Sequence, residues 1–158
     1  MSNRIILVGK AGSGKDFFRK KFVDKGFKYA TSYTTRPPRT GEVQGLDYNF
    51  ISKEKFEKLI NMDFWYEHVP FNGWYYGTSK IQFREDDIFI MTPTGISHLN
   101  EKDRRESLIM YLDIPYKVRE ERLKLRSDAD SVDRRLVADE KDFANFSNFD
   151  IRITNEDF

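Results

Sequence analysis

Arg4-Ile5-Ile6-Leu7-Val8-Gly9-Lys10-Ala11-Gly12-Ser13-Gly14-Lys15-Asp16 is the stretch that decides how this chain folds. Its unbroken aliphatic run predicts a short strand buried on both faces, the kind found in the middle of a parallel sheet. Gly9, Gly12 and Gly14 let the next turn curl so that successive backbone N–H groups point inward, and a helix starting near Lys15 adds its positive dipole end. The spacing is G-x-x-x-x-G-K, that of a phosphate-binding loop, with Lys15 as the full positive charge. Where such loops usually carry Ser or Thr, this one has Asp16. Its carboxylate has three readings that the sequence leaves open: a ligand of Mg²⁺, a holder of the ion through water, or a cap on the first helical turn. Phe18, Phe22 and Val23 follow at helical spacing on one face.

Working outward, Lys25-Gly26 ends that helix and Phe27 to Ser32 reads as a second short strand. Thr34 to Gly45 holds two prolines, two glycines and two arginines, so it is expected as an exposed loop. Asp47 to Ile51 reads as a strand. Ser52 then caps a helix from Lys53 to about Asn61, with Phe56, Leu59 and Ile60 inward. Phe64 to Phe71 and Trp74 to Thr78 flank Asn72-Gly73, a hairpin signal. Ile88 to Met91 and Leu108 to Leu112 resume the buried-strand pattern, joined by a short helical segment that includes Ile96 and Leu99. Tyr116 to Leu125 and Val132 to about Phe143 read as helices around a polar break, and Ile151 to Thr154 as the last strand. Strands alternating with helices predict a parallel α/β sheet, with ligands at the carboxyl end of its first strand.

The whole sequence has 158 residues, enough for one domain and too few for two. A net charge of +1 with no basic or acidic tail gives no electrostatic footprint for nucleic acid or a membrane surface. No cysteine is present, which removes disulfides and thiolate chemistry. No apolar run approaches membrane-spanning length and the N-terminus carries no apolar signal core, so a cytoplasmic location is expected. His68 and His98 have no Cys or His partner at ligand spacing and read as structural or exposed.

The run from Ser32 to Tyr48, Ser-Tyr-Thr-Thr-Arg-Pro-Pro-Arg-Thr-Gly-Glu-Val-Gln-Gly-Leu-Asp-Tyr, resembles the nucleotide-monophosphate loop of guanylate kinases. Glu67 followed by Gly73-Trp74-Tyr75-Tyr76-Gly77-Thr78-Ser79 is similar to the next block of that family, in the same order and spacing. Arg134-Arg135-Leu136 and Thr154-Asn155-Glu156-Asp157 are similar to its lid helix and final strand. The resemblance spans nearly the whole chain. It implies an α/β P-loop kinase forming a single domain over residues 1–158. The parallel core would comprise residues 1–32 and 86–158, with a small β-rich monophosphate-binding insertion at 33–85 and a short lid at 126–135. The implied reaction moves the γ-phosphoryl group of ATP, with Mg²⁺, to GMP or dGMP. A monomer or weak homodimer is expected, with no nucleic-acid or membrane partner.

The chemistry of each matched position agrees with the role that the resemblance implies. Arg36 and Arg39 offer planar donor forks for a monophosphate, and Tyr48 and Tyr76 offer phenolic donors to the same group. Glu67 is the informative residue. A carboxylate accepting two parallel bonds matches the N1–H and exocyclic amine of guanine, whereas adenine presents an acceptor at N1. Ser32 and Thr78 would add hydroxyl contacts to the base, and Glu42 belongs to the same site as a supporting acid. Gly9, Ala11, Gly12, Ser13, Gly14, Lys15 and Asp16 would hold ATP, with Asn155 near its adenine and Asp16 the candidate metal ligand. Lys15, Arg39, Arg126 and Arg135 would stabilise the charge in transfer.

Guanylate kinases carry acidic residues at the end of the strand corresponding to Ile88 to Thr92, and Thr92 stands in that place here. With Asp16, this departure motivates a second expectation, a nucleoside monophosphate kinase of altered or broader base choice. A third is a non-catalytic guanylate-kinase-like module that binds a phosphorylated peptide. Intact Gly12, Gly14 and Lys15 speak against it, since such a module needs no ATP loop. A P-loop ATPase or GTPase switch leaves the Arg36 to Tyr48 loop unexplained.

Overall fold

The computed structural model describes residues 4–125 and 132–158, the side chains of 132–135 excepted. Its elements run β1 (Arg4–Gly9), α1 (Lys15–Asp24), β2 (Tyr33–Thr34), β3 (Asn49–Phe50), α2 (Lys53–Asn61), β4 (Trp65–Phe71), β5 (Trp74–Ser79) and α3 (Lys80–Glu85). The second half continues with β6 (Ile88–Ile90), α4 (Pro93–Ile96), α5 (Glu101–Arg105), β7 (Ser107–Leu112), α6 (Tyr116–Lys124), α7 (Val132–Asp142) and β8 (Ile151–Ile153).

The first sheet is parallel throughout, in the order β6-β1-β7-β8, with Leu7 opposite Ile90 on one side and Met110 on the other. Because side chains alternate along a strand, β1 feeds two cores. Ile6 and Val8 join Phe83, Phe89, Ile96, Ile109 and Phe143 on one face, while Leu7 joins Ile88 and Met110 on the other, where Phe18 and Phe22 of α1 pack. Ile6, Leu7 and Val8 are wholly buried, as an aliphatic run between two helical layers requires.

The second sheet has the order β3-β2-β5-β4 and mixes directions: β2 is parallel to β3 and antiparallel to β5. Its β4–β5 hairpin turns where the sequence predicts. Asn72 and Gly73 take φ of 53° and 86°, the two left-handed residues that a type I′ turn needs. Helix α2 lies against this sheet through Phe56, whose ring stacks on Trp65 at 4.2 Å and on Tyr75 at 4.9 Å. Ser52 caps it, accepting from the Lys55 N–H at 3.1 Å.

Several expectations are corrected. Phe27 to Ser32 is not a ladder strand. Only Tyr29 bridges to Ile88, with the Ala30 N–H donating to the Ile88 carbonyl, because the segment lies at the sheet's margin beside short β6. The strand expected over Asp47 to Ile51 shrinks to Asn49–Phe50. Val23 is 44% exposed, so the buried face of α1 is carried by Phe18 and Phe22. Helices α3 and α5 were not foreseen as separate elements. The first has a legible signature, a capping box in which Ser79 and Gln82 exchange side-chain to backbone hydrogen bonds.

Candidate active site

The loop after β1 closes into the expected nest. Gly12 and Gly14 adopt φ of 78° and 96°, a left-handed backbone that side chains rarely tolerate, and Gly14 is the N-cap of α1. Lys15 Nζ donates to the Gly9 carbonyl and, at 3.3 Å, to that of Lys10, so the ammonium is held within the loop. Asp16 lies in the first turn of α1 with its carboxylate 68% exposed and Oδ1 3.4 Å from Arg19 Nε. Among the described residues no three acidic, His or Cys side chains form a metal cluster. One exposed carboxylate beside a phosphate loop suits Mg²⁺, which keeps several waters and is bound by one or two carboxylates together with substrate phosphates.

Two arginines and two tyrosines border the same cavity as this loop. Arg36 is buried, and its fork donates to both oxygens of Glu42 at 2.9 and 3.0 Å. The same carboxylate accepts the Arg39 N–H at 2.7 Å, which fixes the loop that carries both arginines. Burial pushes the Glu42 carboxyl up, but the Arg36 fork, the Arg39 amide and both guanidinium charges outweigh it and hold the group below its ordinary range. Arg36 also lies over the Tyr48 ring, 5.2 Å from its centroid. Tyr48 and Tyr76 pair edge to face with centroids 6.1 Å apart.

The same cavity is bordered by Glu67 on β4, 5% exposed. Its Oε1 accepts from Thr78 Oγ1 across the hairpin at 2.8 Å. Desolvation raises its pKa to about 7, with the Thr78 hydroxyl and His98 pulling weakly the other way. No hydrogen bond to Oε2 is found among the described residues. A buried carboxylate with one oxygen unmatched is poised to accept donors from a ligand.

One cavity of about 430 Å³ is shared by the phosphate loop, the arginine loop and Glu67. Gly9 and the loop from Ala11 through Asp16, with Ser32, Arg36, Arg39, Glu42, Tyr48, Glu67, Tyr76 and Thr92, all border it. Two expected residues do not. Thr78 is 2% exposed and faces Glu67 rather than the cavity, so it acts on the carboxylate. Asn155 is exposed and accepts the Asp157 N–H at 3.0 Å. Arg126 lies outside the described residues, as does the side chain of Arg135. Thr92 accepts the Gly95 N–H at 3.0 Å and caps α4, so a helix start fixes its hydroxyl oxygen at the cavity wall.

Sequence reasoning missed Asp139. This buried α7 carboxylate accepts the Ala11 N–H at 2.7 Å, inside the phosphate loop. Burial raises its pKa, against the pull of Lys15, the Ala11 amide, Arg119 and Lys10. Next to it, Glu140 pairs with Lys10 at 3.0 Å and Arg119 at 3.3 Å, which pins α7 over the loop. The signal was available, because Asp139 shares a helical face with buried Leu136 and Phe143, where an acid is out of place. The apolar walls contributed by Val69, Phe71, Trp74 and Met91 were likewise not foreseen as site residues.

A glycine-rich phosphate loop at the carboxyl end of a parallel sheet, facing an arginine and tyrosine pocket across one cavity, defines a P-loop nucleoside monophosphate kinase. The family model "Guanylate kinase" matches residues 1–158. The guanylate kinase of Aster yellows witches'-broom phytoplasma is 32% identical over 97% of this chain and 78% of its own length. That of Helicobacter pylori strain 26695 is 33% identical over 98% of this chain and 80% of its own. The crystal structure of guanylate kinase from Anaplasma phagocytophilum superposes with a TM-score of 0.74 at 24% identity, covering 99% of this chain and 79% of that one, a likeness of fold. The chain belongs to the guanylate kinase family.

Proposed function

We propose that this chain transfers the γ-phosphoryl group of ATP to GMP or dGMP, releasing ADP and GDP or dGDP. The observation that carries the reading is that the Glu67 carboxylate and the Gly9–Asp16 loop border the same cavity as Arg36 and Arg39. Glu67 accepts the N1–H and amino donors of guanine, as its unmatched Oε2 supports, and Thr78 holds Oε1 in place. Ser32 and Thr92 stand beside the base. Arg36, Arg39, Tyr48 and Tyr76 take the monophosphate, with Glu42 keeping the Arg36 fork in its plane. The loop amides and Lys15 take the β- and γ-phosphates, for which Lys15 must leave the Gly9 and Lys10 carbonyls.

Asp16 would hold Mg²⁺ directly or through water, and the ion would offset charge on the triphosphate oxygens. Lys15 and Arg39, with Arg126 and Arg135 from the lid, stabilise the phosphoryl group in flight, and Asn155 lies toward the adenine. Closure of the second sheet toward the loop excludes water from the transfer. We propose a cytoplasmic monomer or weak homodimer without nucleic-acid or membrane partners, which the near-neutral charge supports. No helix among the described residues is long and apolar enough to cross a membrane.

A coupled assay of ADP release across GMP, dGMP, AMP, CMP, UMP and dTMP tests the reading. The expected result is turnover of GMP and dGMP at least a hundredfold above the rest. Comparable rates with AMP would instead favour the broader base choice that Thr92 motivates. Binding of a phosphopeptide with no ATP turnover would overturn the kinase reading.

A further inference from the structure

We propose that Gly95 is a positioning residue for base recognition: its missing side chain is what lets the Glu67 carboxylate stand where it meets the acceptor base. The inference rests on the guanine reading above. Gly95 is buried within α4, and its backbone is not in the left-handed region where glycine is otherwise needed. In an ordinary helical conformation glycine is a poorer choice than alanine. Space, not backbone, accounts for it. A β-carbon on Gly95 would sit 2.8 Å from Glu67 Oε2 and 3.4 Å from Glu67 Cδ, while the next neighbour, Thr92 Oγ1, would be at an ordinary 3.5 Å. Among the described residues the only severe conflict is with the carboxylate.

The conflict is relieved most cheaply at the far end of the Glu67 side chain. Helix α4 is fixed at its start by Pro93 and by the Thr92 cap on the Gly95 N–H. The end of the Glu67 side chain is the mobile partner. To regain ordinary contact Oε2 must retreat by about half an ångström or more, turning about an Oε1 that Thr78 holds. A carboxylate accepting two parallel bonds from a planar base edge tolerates such a turn poorly, and misplacement on this scale costs about tenfold or more in recognition. The loss falls on the base alone, since Lys15 and the phosphate loop lie on other elements.

The test is steady-state kinetics of the full chain and of Gly95→Ala with GMP and AMP, together with calorimetric ATP binding and thermal melting. Expected are a rise of tenfold or more in KM for GMP, an equal loss of GMP over AMP preference, kcat within about threefold, unchanged ATP affinity and no fall in melting temperature. A KM and selectivity within twofold of the parent would overturn the proposal, and so would a lowered melting temperature with parallel loss of ATP binding. A second arm repeats the change in a Glu67→Asp background, whose carboxylate is drawn back by one methylene. There Gly95→Ala should raise KM by no more than twofold, and an equal fold-change in both backgrounds would count against contact with Glu67. A parent that does not prefer GMP to AMP sinks the substrate reading and this proposal with it. A GMP-selective parent unaffected by Gly95→Ala sinks the proposal alone.

Discussion

Replacing Glu67 with Gln removes a charge that the fold holds at a cost. The carboxyl has an ordinary pKa of 4.5, and desolvation raises it to about 7 in the folded chain. The folded state therefore binds the proton more tightly than the unfolded state. Stability from this group is fully present below pH 4.5 and is lost as pH rises through about 7. By pH 8 the ionised carboxylate lowers folding free energy by about 3 kcal/mol. Glu67→Gln has no such dependence. Its buried amide gives back about 1 kcal/mol, because its N–H donors meet no acceptor. The variant should thus exceed the parent by about 2 kcal/mol at pH 8, roughly 4–8 °C in melting temperature for a chain of this size, and fall slightly below it near pH 4.5.

Denaturant unfolding of both proteins from pH 4.5 to 8 reads the difference directly, since titrating groups not coupled to Glu67 cancel. The same substitution should lower kcat/KM for GMP about a thousandfold, because an amide presents donors to donors. In the parent, KM for GMP should fall as pH rises through about 7, as Glu67 ionises. Parallel stability curves for the two proteins across this range would refute the claim that a desolvated carboxylate stands in the cavity.

Lys15→Met should lower kcat by a hundredfold or more while leaving GMP affinity within twofold, as calorimetry and single-turnover rates would show, because its ammonium belongs to the ATP loop. Glu42→Ala strips the bidentate partner from buried Arg36 and should cost about 2–3 kcal/mol in urea unfolding, with a raised KM for GMP. With its carboxyl held below the ordinary range, the Glu42 contribution is present near neutrality and is lost as pH falls through the depressed value. Asp139→Asn should tighten ATP binding three- to tenfold by calorimetry, since it removes a negative charge held against the Ala11 N–H of the loop that would take a phosphate oxygen. Weaker ATP binding in that variant would mean that Asp139 supports the nucleotide rather than competing with it.

The elements legible from sequence are those whose causes lie within a few residues of each other. The aliphatic run before Gly9, the left-handed Gly12 and Gly14, the Asn72-Gly73 turn and the Ser52 cap each act through neighbours in the chain, and each appears in place. The arginine loop was legible for the same reason, since Arg36 and Glu42 meet across six residues. Tertiary structure alone decided the rest. Phe27 to Ser32 has strand-like composition, but its position beside short β6 leaves one bridge. Asp139 reaches Ala11 across 128 residues, and Thr78 turns to Glu67 because the hairpin register puts them opposite each other. Why Gly95 is glycine depends on a side chain from another strand. Local propensity is written along the chain, whereas burial, close approach and the shift of a buried carboxyl arise only when distant segments exclude water together.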